Sequence, residues 1–393
     1  MKITFPSIRA FRSRLNCAFL VGCVLVGAIA TKAEAEYTFT FVADSTGPFS
    51  GFSPVSLNAS GTVAFSAKFD GSGAGVFTGN GGALTTITTA ATPPFGNPFN
   101  PPSINQAGMV AFAAGDRILA GSGGPLTTIA DTAGPLRDFA SGYTTSINTA
   151  GAVAFTAFLD AGGGGIFVGN GGVVTPVLIN SASFGSDNSI SLNDAGTLAF
   201  RGAKDQRAGI FSFNAGMITT ITDISGPFNY FGSAPSLNGA GTVAFAAGVV
   251  NGGVGSVSGI YRGNGGPLTT IADLAGPFSY LGDFEVNQPS INAAGNVAFA
   301  ANLDAGGAGL YIGDGTATSE VLGVGDALFG STITGFLISP TSLNDSGQVA
   351  FVYGLANGTT GIAIANPVPE PSSSLLLALS LGLSLARRTT RKC

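Results

Sequence analysis

The side chains in this 393-residue chain whose types and spacing could do chemistry are almost all aspartates. Three Gly-rich segments each open on one: Asp70-Gly71-Ser72-Gly73, Asp160-Ala161-Gly162-Gly163 and Asp304-Ala305-Gly306-Gly307. Such loops could offer oxygens to a hard cation, and calcium is the one ion they leave open. Calcium takes six to eight oxygens, usually from several acids. One carboxylate per loop, without alternating Asp spacing, fits a Gly-rich turn better. A second set, Asp44, Asp131, Asp223 and Asp273, stands three residues before a Gly-Pro pair each time, which suits a side chain that hydrogen-bonds its own loop. Two carboxylates brought together could cleave a glycosidic bond, but no spacing selects a pair.

Most other chemistries are excluded by composition. The chain has no histidine, which removes Ser-His-Asp and Cys-His triads and most zinc, copper and haem sites. Its three cysteines, Cys17, Cys23 and Cys393, all lie in the terminal segments. The Gly-Asn-Gly-Gly runs at 79–82, 169–172 and 263–266 resemble phosphate loops only superficially. They join two strands, and neither a helix nor a Lys-Ser/Thr pair follows. Neither a catalytic residue nor a bound cofactor is expected.

What must position these side chains is a repeat. Asn-x-x-Gly-x-x-Ala-Phe occurs seven times, beginning at Asn58, Asn105, Asn148, Asn193, Asn238, Asn292 and Asn344. The gaps of 47, 43, 45, 45, 54 and 52 residues suit one four-stranded propeller blade each. Asn at the first position of a type I turn bonds its own backbone two residues on, and Gly suits the fourth. The repeated asparagines are therefore read as structural turn formers. In the first repeat the strands are expected at 55–57, 62–69, 75–78 and 84–87. The second strand alternates Val63 and Phe65 with Ala64, bulky on one face and small on the other. A sheet with one wet face would alternate apolar with charged, so both faces must be covered by neighbours.

The last repeat stops at its third strand, Gly361-Ile362-Ala363-Ile364, and Phe39–Asp44 at the other end has the sequence of the missing fourth. The expected fold is all-β: a seven-bladed β-propeller of four-stranded antiparallel blades over 36–366, closed by the N-terminal strand completing the last blade. Some repeats deviate: Asp116-Arg117 in the second, Pro176 in the third, Lys204-Asp205-Gln206-Arg207 in the fourth, Glu320-Val321-Leu322 in the sixth.

Both ends read as addresses. Lys2, Arg9, Arg12 and Arg14 precede an apolar run, Leu15 to Ala30, and Ala33-Glu34-Ala35 has the form of a signal-peptidase site, making 1–35 a signal peptide. A rival lipobox, Leu20-Val21-Gly22-Cys23, is disfavoured because the apolar run continues past Cys23. The segment 367–393 holds Val368-Pro369-Glu370-Pro371, an apolar stretch Leu375 to Ala386, and a basic end opening with Arg387-Arg388. As helix the apolar stretch would be about 18 Å long, short against a hydrocarbon core of roughly 30 Å.

This three-part tail resembles the PEP-CTERM sorting signal. The resemblance implies export, transient inner-membrane tethering through a C-terminal transmembrane helix, recognition by an exosortase after signal-peptidase processing, and a cell-surface or extracellular destination. A simple anchor that stays attached is the alternative. The repeat resembles the bacterial NxxGxVAF tandem repeats, which implies a secreted repeat domain and brings no catalytic residues with it.

Between 36 and 371 seven basic side chains face 20 acidic ones, a poor surface for nucleic acid. The leading expectation is a monomeric, non-catalytic surface or matrix scaffold that binds exopolysaccharide or another surface component. One alternative is a polysaccharide hydrolase or lyase using Asp residues with Arg117 or Arg201. The other is a propeller that binds a protein partner through loops 204–207 and 283–288.

Overall fold

The computed structural model describes residues 36–90, 100–140, 145–181, 184–249, 257–282 and 287–369. Every regular element among them is a β-strand, and the strands form seven antiparallel sheets, the blades of a seven-bladed propeller. In the first blade the order runs from Phe49–Phe52 and Ser56–Leu57 at the axis, through Val63–Phe69 and Ala74–Gly79, to Thr85–Ala90 outside. The innermost strand is in two pieces because Pro54 lies between them and cannot donate to the ladder. Both pieces pair with the same neighbour, Phe49 opposite Phe69 and Ser56 opposite Ala64. Gly47-Pro48-Phe49, following the Asp44 turn, has the composition of a loop leaving the outer strand. The structure instead starts the inner strand there, with Phe49 and Phe52 buried.

The phrase Val-Ala-Phe explains how blades stack. Val63 and Phe65 pack with Ala350 of the last blade, while Ala64, on the opposite face, packs with Val110 and Phe112 of the second. The same exchange recurs at every junction: Ala111 with Phe155, Ala154 with Phe200, Ala199 with Phe245, Ala244 with Phe299, and Ala298 with Phe351. Each apolar core thus lies between two blades rather than within one. A ring of wedges needs this arrangement, since a bulky face on one blade fits only against a small face on the next.

Ring closure follows the expected pairing. Tyr37–Asp44 lies antiparallel to Thr360–Pro367, with Phe39 opposite Ala365, Thr40 opposite Ile364 and Asp44 opposite Gly361. The main chain also joins beyond the strand, the Val368 amide donating to the Glu36 carbonyl at 2.8 Å. A short hairpin of the last blade, Ala327–Leu328 with Ser331–Leu337, lays Phe329 edge-on against Phe41, with ring centres 5.7 Å apart. The Gly-Asn-Gly-Gly turns dock on the preceding blade's outer strand. A Cβ at Gly81 would meet the Thr40 methyl at 2.4 Å, and one at Gly171 would meet the Thr127 methyl at 2.5 Å.

One expectation is corrected. Among the described residues no helix is long and apolar enough to cross a membrane, because their apolar residues are distributed over short strands that stack face to face. The transmembrane helix assigned to 375–386 therefore has no counterpart there. That stretch lies outside the described residues, as do Cys23, Ala33, Ala35, Glu370, Pro371, Arg387 and Arg388.

Candidate functional site

The inner strands converge on the axis, and each ends in Ser-Leu/Ile-Asn: 56–58, 103–105, 146–148, 191–193, 236–238, 290–292 and 342–344. All seven asparagines are buried. Their side-chain carbonyls hold the turns; Asn344 Oδ1, for example, accepts from Ser346 N and Gln348 N, both at 3.0 Å. Their amides reach sideways to the next repeat. Asn58, Asn105, Asn193, Asn238 and Asn292 donate through Nδ2 to the main-chain carbonyls of Asn105, Asn148, Asn238, Asn292 and Asn344. Asn344 donates back to Asn58 at 3.0 Å.

A second tier lies two residues upstream. Ser56, Ser146, Ser191, Ser236 and Ser290 accept at Oγ from the amides of Ile104, Leu192, Leu237, Ile291 and Leu343 in the following blade. The serines were legible as part of the repeat, since one stands two positions before every asparagine, but period and turn chemistry alone do not assign them this role. A third tier sits at the exposed mouth. Gln106 Oε1 accepts from Ala59 N at 2.7 Å, Asp194 takes both the amide and the hydroxyl of Thr149, and Asp345 Oδ1 accepts from Ala293 N at 2.7 Å.

These tiers enclose a funnel of about 220 Å³ on the axis. Its floor is Pro340-Thr341. Here the last blade has Pro340-Thr341-Ser342 where the fifth has Pro235-Ser236, one residue more before the tripeptide. The buried Pro340 carbonyl accepts from Ser236 Oγ at 2.6 Å and from Ser290 Oγ at 3.0 Å. Ser339 Oγ donates to the Val55 carbonyl. The segment thereby ties the last blade to the first, fifth and sixth. Behind it lies a cavity of about 20 Å³ bordered by Pro101, Ser103, Ser146, Ser191 and Pro340. Ser103 borders both spaces, and its buried Oγ has no hydrogen-bond partner.

The other singled-out residues lie elsewhere. Asp70, Asp160 and Asp304 are pinned through their amides to the carbonyls of Pro48, Pro135 and Pro277. Asp44, Asp131, Asp223 and Asp273 accept from the amides two residues on, and the Ser225 hydroxyl and amide help hold Asp223 below the usual carboxylate range. Arg201 clamps the Phe231 carbonyl at 2.9 Å, and Asp205 and Gln206 form the tight turn of the 204–207 hairpin with φ of 50° and 65°. Gln288 Oε1 accepts from Ala234 N, tying the sixth blade to the fifth. Among the described residues, no three or more acids gather as metal ligands. An apolar cleft of about 640 Å³ between the second and third blades is bordered by Val174, at the position where Leu84, Leu126 and Leu268 fill the corresponding space.

A family model described as a family of unknown function, DUF7453, matches residues 99–316 and 327–375, so the chain belongs to that family. No curated protein matches. Among solved structures, an oligogalacturonate lyase from Vibrio parahaemolyticus is similar at 12% identity and TM-score 0.51, over 86% of this chain and 99% of that one. An oligogalacturonate lyase in complex with manganese is similar at 10% identity and TM-score 0.52, over 86% and 99%. A chain of the mitotic checkpoint complex is similar at 11% identity and TM-score 0.50, over 85% and 95%. At such identities the likeness is one of fold.

Proposed function

We propose that this DUF7453 member is an exported, non-catalytic β-propeller that works outside the cell as a binding scaffold for exopolysaccharide. Signal peptidase and an exosortase are its processing partners. One observation supports the scaffold reading most directly. Most of the polar side chains that line the axis, where seven strands converge, hold blade to blade: six of the asparagine amides, five of the serine hydroxyls and the mouth carboxylates of Asp194 and Asp345. Groups that carry the architecture in this way are poorly placed to change protonation or partners during a reaction. The two terminal sequence patterns support export.

The test is retention of matrix polysaccharide by recombinant 36–369, compared with an unrelated acidic protein of similar net charge. Retention by the propeller alone is the expected outcome, and no retention on any matrix polysaccharide overturns the reading. Incubation of the same polysaccharides with the protein should generate neither new reducing ends nor unsaturated uronates. Either product, at a rate proportional to protein concentration, replaces the scaffold with an enzyme. A mature N-terminus at Glu36, read by mass spectrometry of exported protein, tests the processing.

A further inference from the structure

We infer that the axial funnel holds one uncharged sugar unit at the end of a glycan chain. This rests on the binding-scaffold reading and gives it a site and a ligand class.

Three observations carry it. First, the funnel is blind. Pro340-Thr341 closes it, held from the fifth and sixth blades by Ser236 and Ser290, so a chain cannot thread through and only an end can enter. Second, the space of about 220 Å³ is below the roughly 300–1,000 Å³ of drug-sized sites, which limits the occupant to one small ring. Third, the lining has a definite chemistry. Leu57, Ile104 and Leu343 offer apolar ledges for the C–H faces of a ring. Asp345 engages Ala293 through Oδ1, leaving Oδ2 to accept from a ligand hydroxyl.

The charge of the lining sets the selectivity. Asp194 and Asp345 border the funnel, and neither lysine nor arginine does. A uronate would bring a third carboxylate into a partly enclosed space with no counter-charge, where repulsion is weakly screened. An uncharged ring meets hydroxyl acceptors instead.

The test is calorimetric titration of the 36–369 domain with a linear neutral hexasaccharide panel (gluco-, manno- and galacto-configured), a cyclic neutral hexasaccharide, and an oligogalacturonate hexamer. At least one linear neutral chain should bind, the cyclic one should not, and the uronate should bind about tenfold more weakly or worse. Ala59→Trp and, separately, Ala293→Trp, which fill the mouth from different blades, should each abolish binding. The pair Asp194→Asn/Asp345→Asn keeps an acceptor for Thr149 and Ala293 and should bring the uronate to within about threefold of the neutral chain. Equal binding of the cyclic and linear sugars, or unchanged discrimination in the double variant, overturns the inference. If matrix polysaccharide is retained equally by wild type and by both folded tryptophan variants, the scaffold reading stands and the funnel is not its site. If nothing is retained by wild type, the scaffold reading has failed.

Discussion

The side-chain amide of Asn344 donates to the main-chain carbonyl of Asn58 at 3.0 Å, joining residues 286 positions apart in the sequence. The same residue that closes its own turn therefore also closes the ring. The bond is buried, and the Asn58 carbonyl that receives it also accepts from the Gly61 amide at 3.1 Å, so one oxygen serves both its own turn and the ring.

Replacing Asn344 by Ala should lower stability by about 1–3 kcal/mol in equilibrium urea unfolding, through the lost lateral bond to Asn58 and two lost turn bonds. Asn344→Asp keeps the turn acceptor, loses the donor and buries a carboxylate, so it should cost at least as much. An Asp variant as stable as wild type would show that the lateral bond contributes nothing.

Phe65 and Ala350 occupy one inter-blade core, both fully buried. Phe65→Ala should cost about 3–5 kcal/mol by leaving a cavity. Ala350→Leu should cost about 1–3 kcal/mol by overpacking the opposite wall. Combined, the two should be less harmful than their sum, since the leucine fills part of the vacated space. Strict additivity in a double-mutant cycle would contradict packing between the blades.

Deleting 36–44 should unpair the edge of Thr360–Pro367, expose the apolar face covered by Val42 and Ala43, and lower Tm by about 10 °C or more. The freed edge should also promote self-association, visible by light scattering. An unchanged Tm would mean the ring does not depend on its terminal strand.

Stability should fall at alkaline pH through buried tyrosines. Burial, with the Glu320 carboxylate nearby, pushes Tyr311 up to about 12, and burial with Asp44 nearby also raises Tyr353. In the unfolded chain both ionise near 10. The neutral form is favoured by folding, so this contribution is complete below about pH 10 and declines as pH rises toward 12. Tyr353→Phe should shallow that decline. It should cost little near pH 7, because the Tyr353 hydroxyl is buried without a hydrogen-bond partner. An unaltered slope would assign the alkaline loss elsewhere.

Much of this molecule is local information repeated. Asn58-Ala59-Ser60-Gly61 specifies a turn, Val63-Ala64-Phe65 a strand covered on both faces, and seven such copies a ring, all from residue type and a period of 43 to 54. The pairing of Phe39–Asp44 with Gly361–Ile364 was legible because a missing strand and a spare one of matching sequence stand at opposite ends of the repeat. The inner strand's start at Phe49 was not, since Gly-Pro looks like loop wherever it stands, and only burial of Phe49 against Phe65 and Phe77 makes it a strand.

The funnel was decided by tertiary structure. Nothing near Asn58 in sequence shows that its amide will meet Asn105, that Ser56 will accept from Ile104, or that Asp194 and Asp345 will share a rim. Each of these contacts spans at least 43 residues and exists only once the blades are stacked. The floor depends on where Pro340 comes to rest, and its carbonyl is held by Ser236 and Ser290 of other blades. Turn and strand propensities act over a few residues and can be read along the chain. The shape and charge of an axial cavity are sums over all seven units, and only ring closure fixes them.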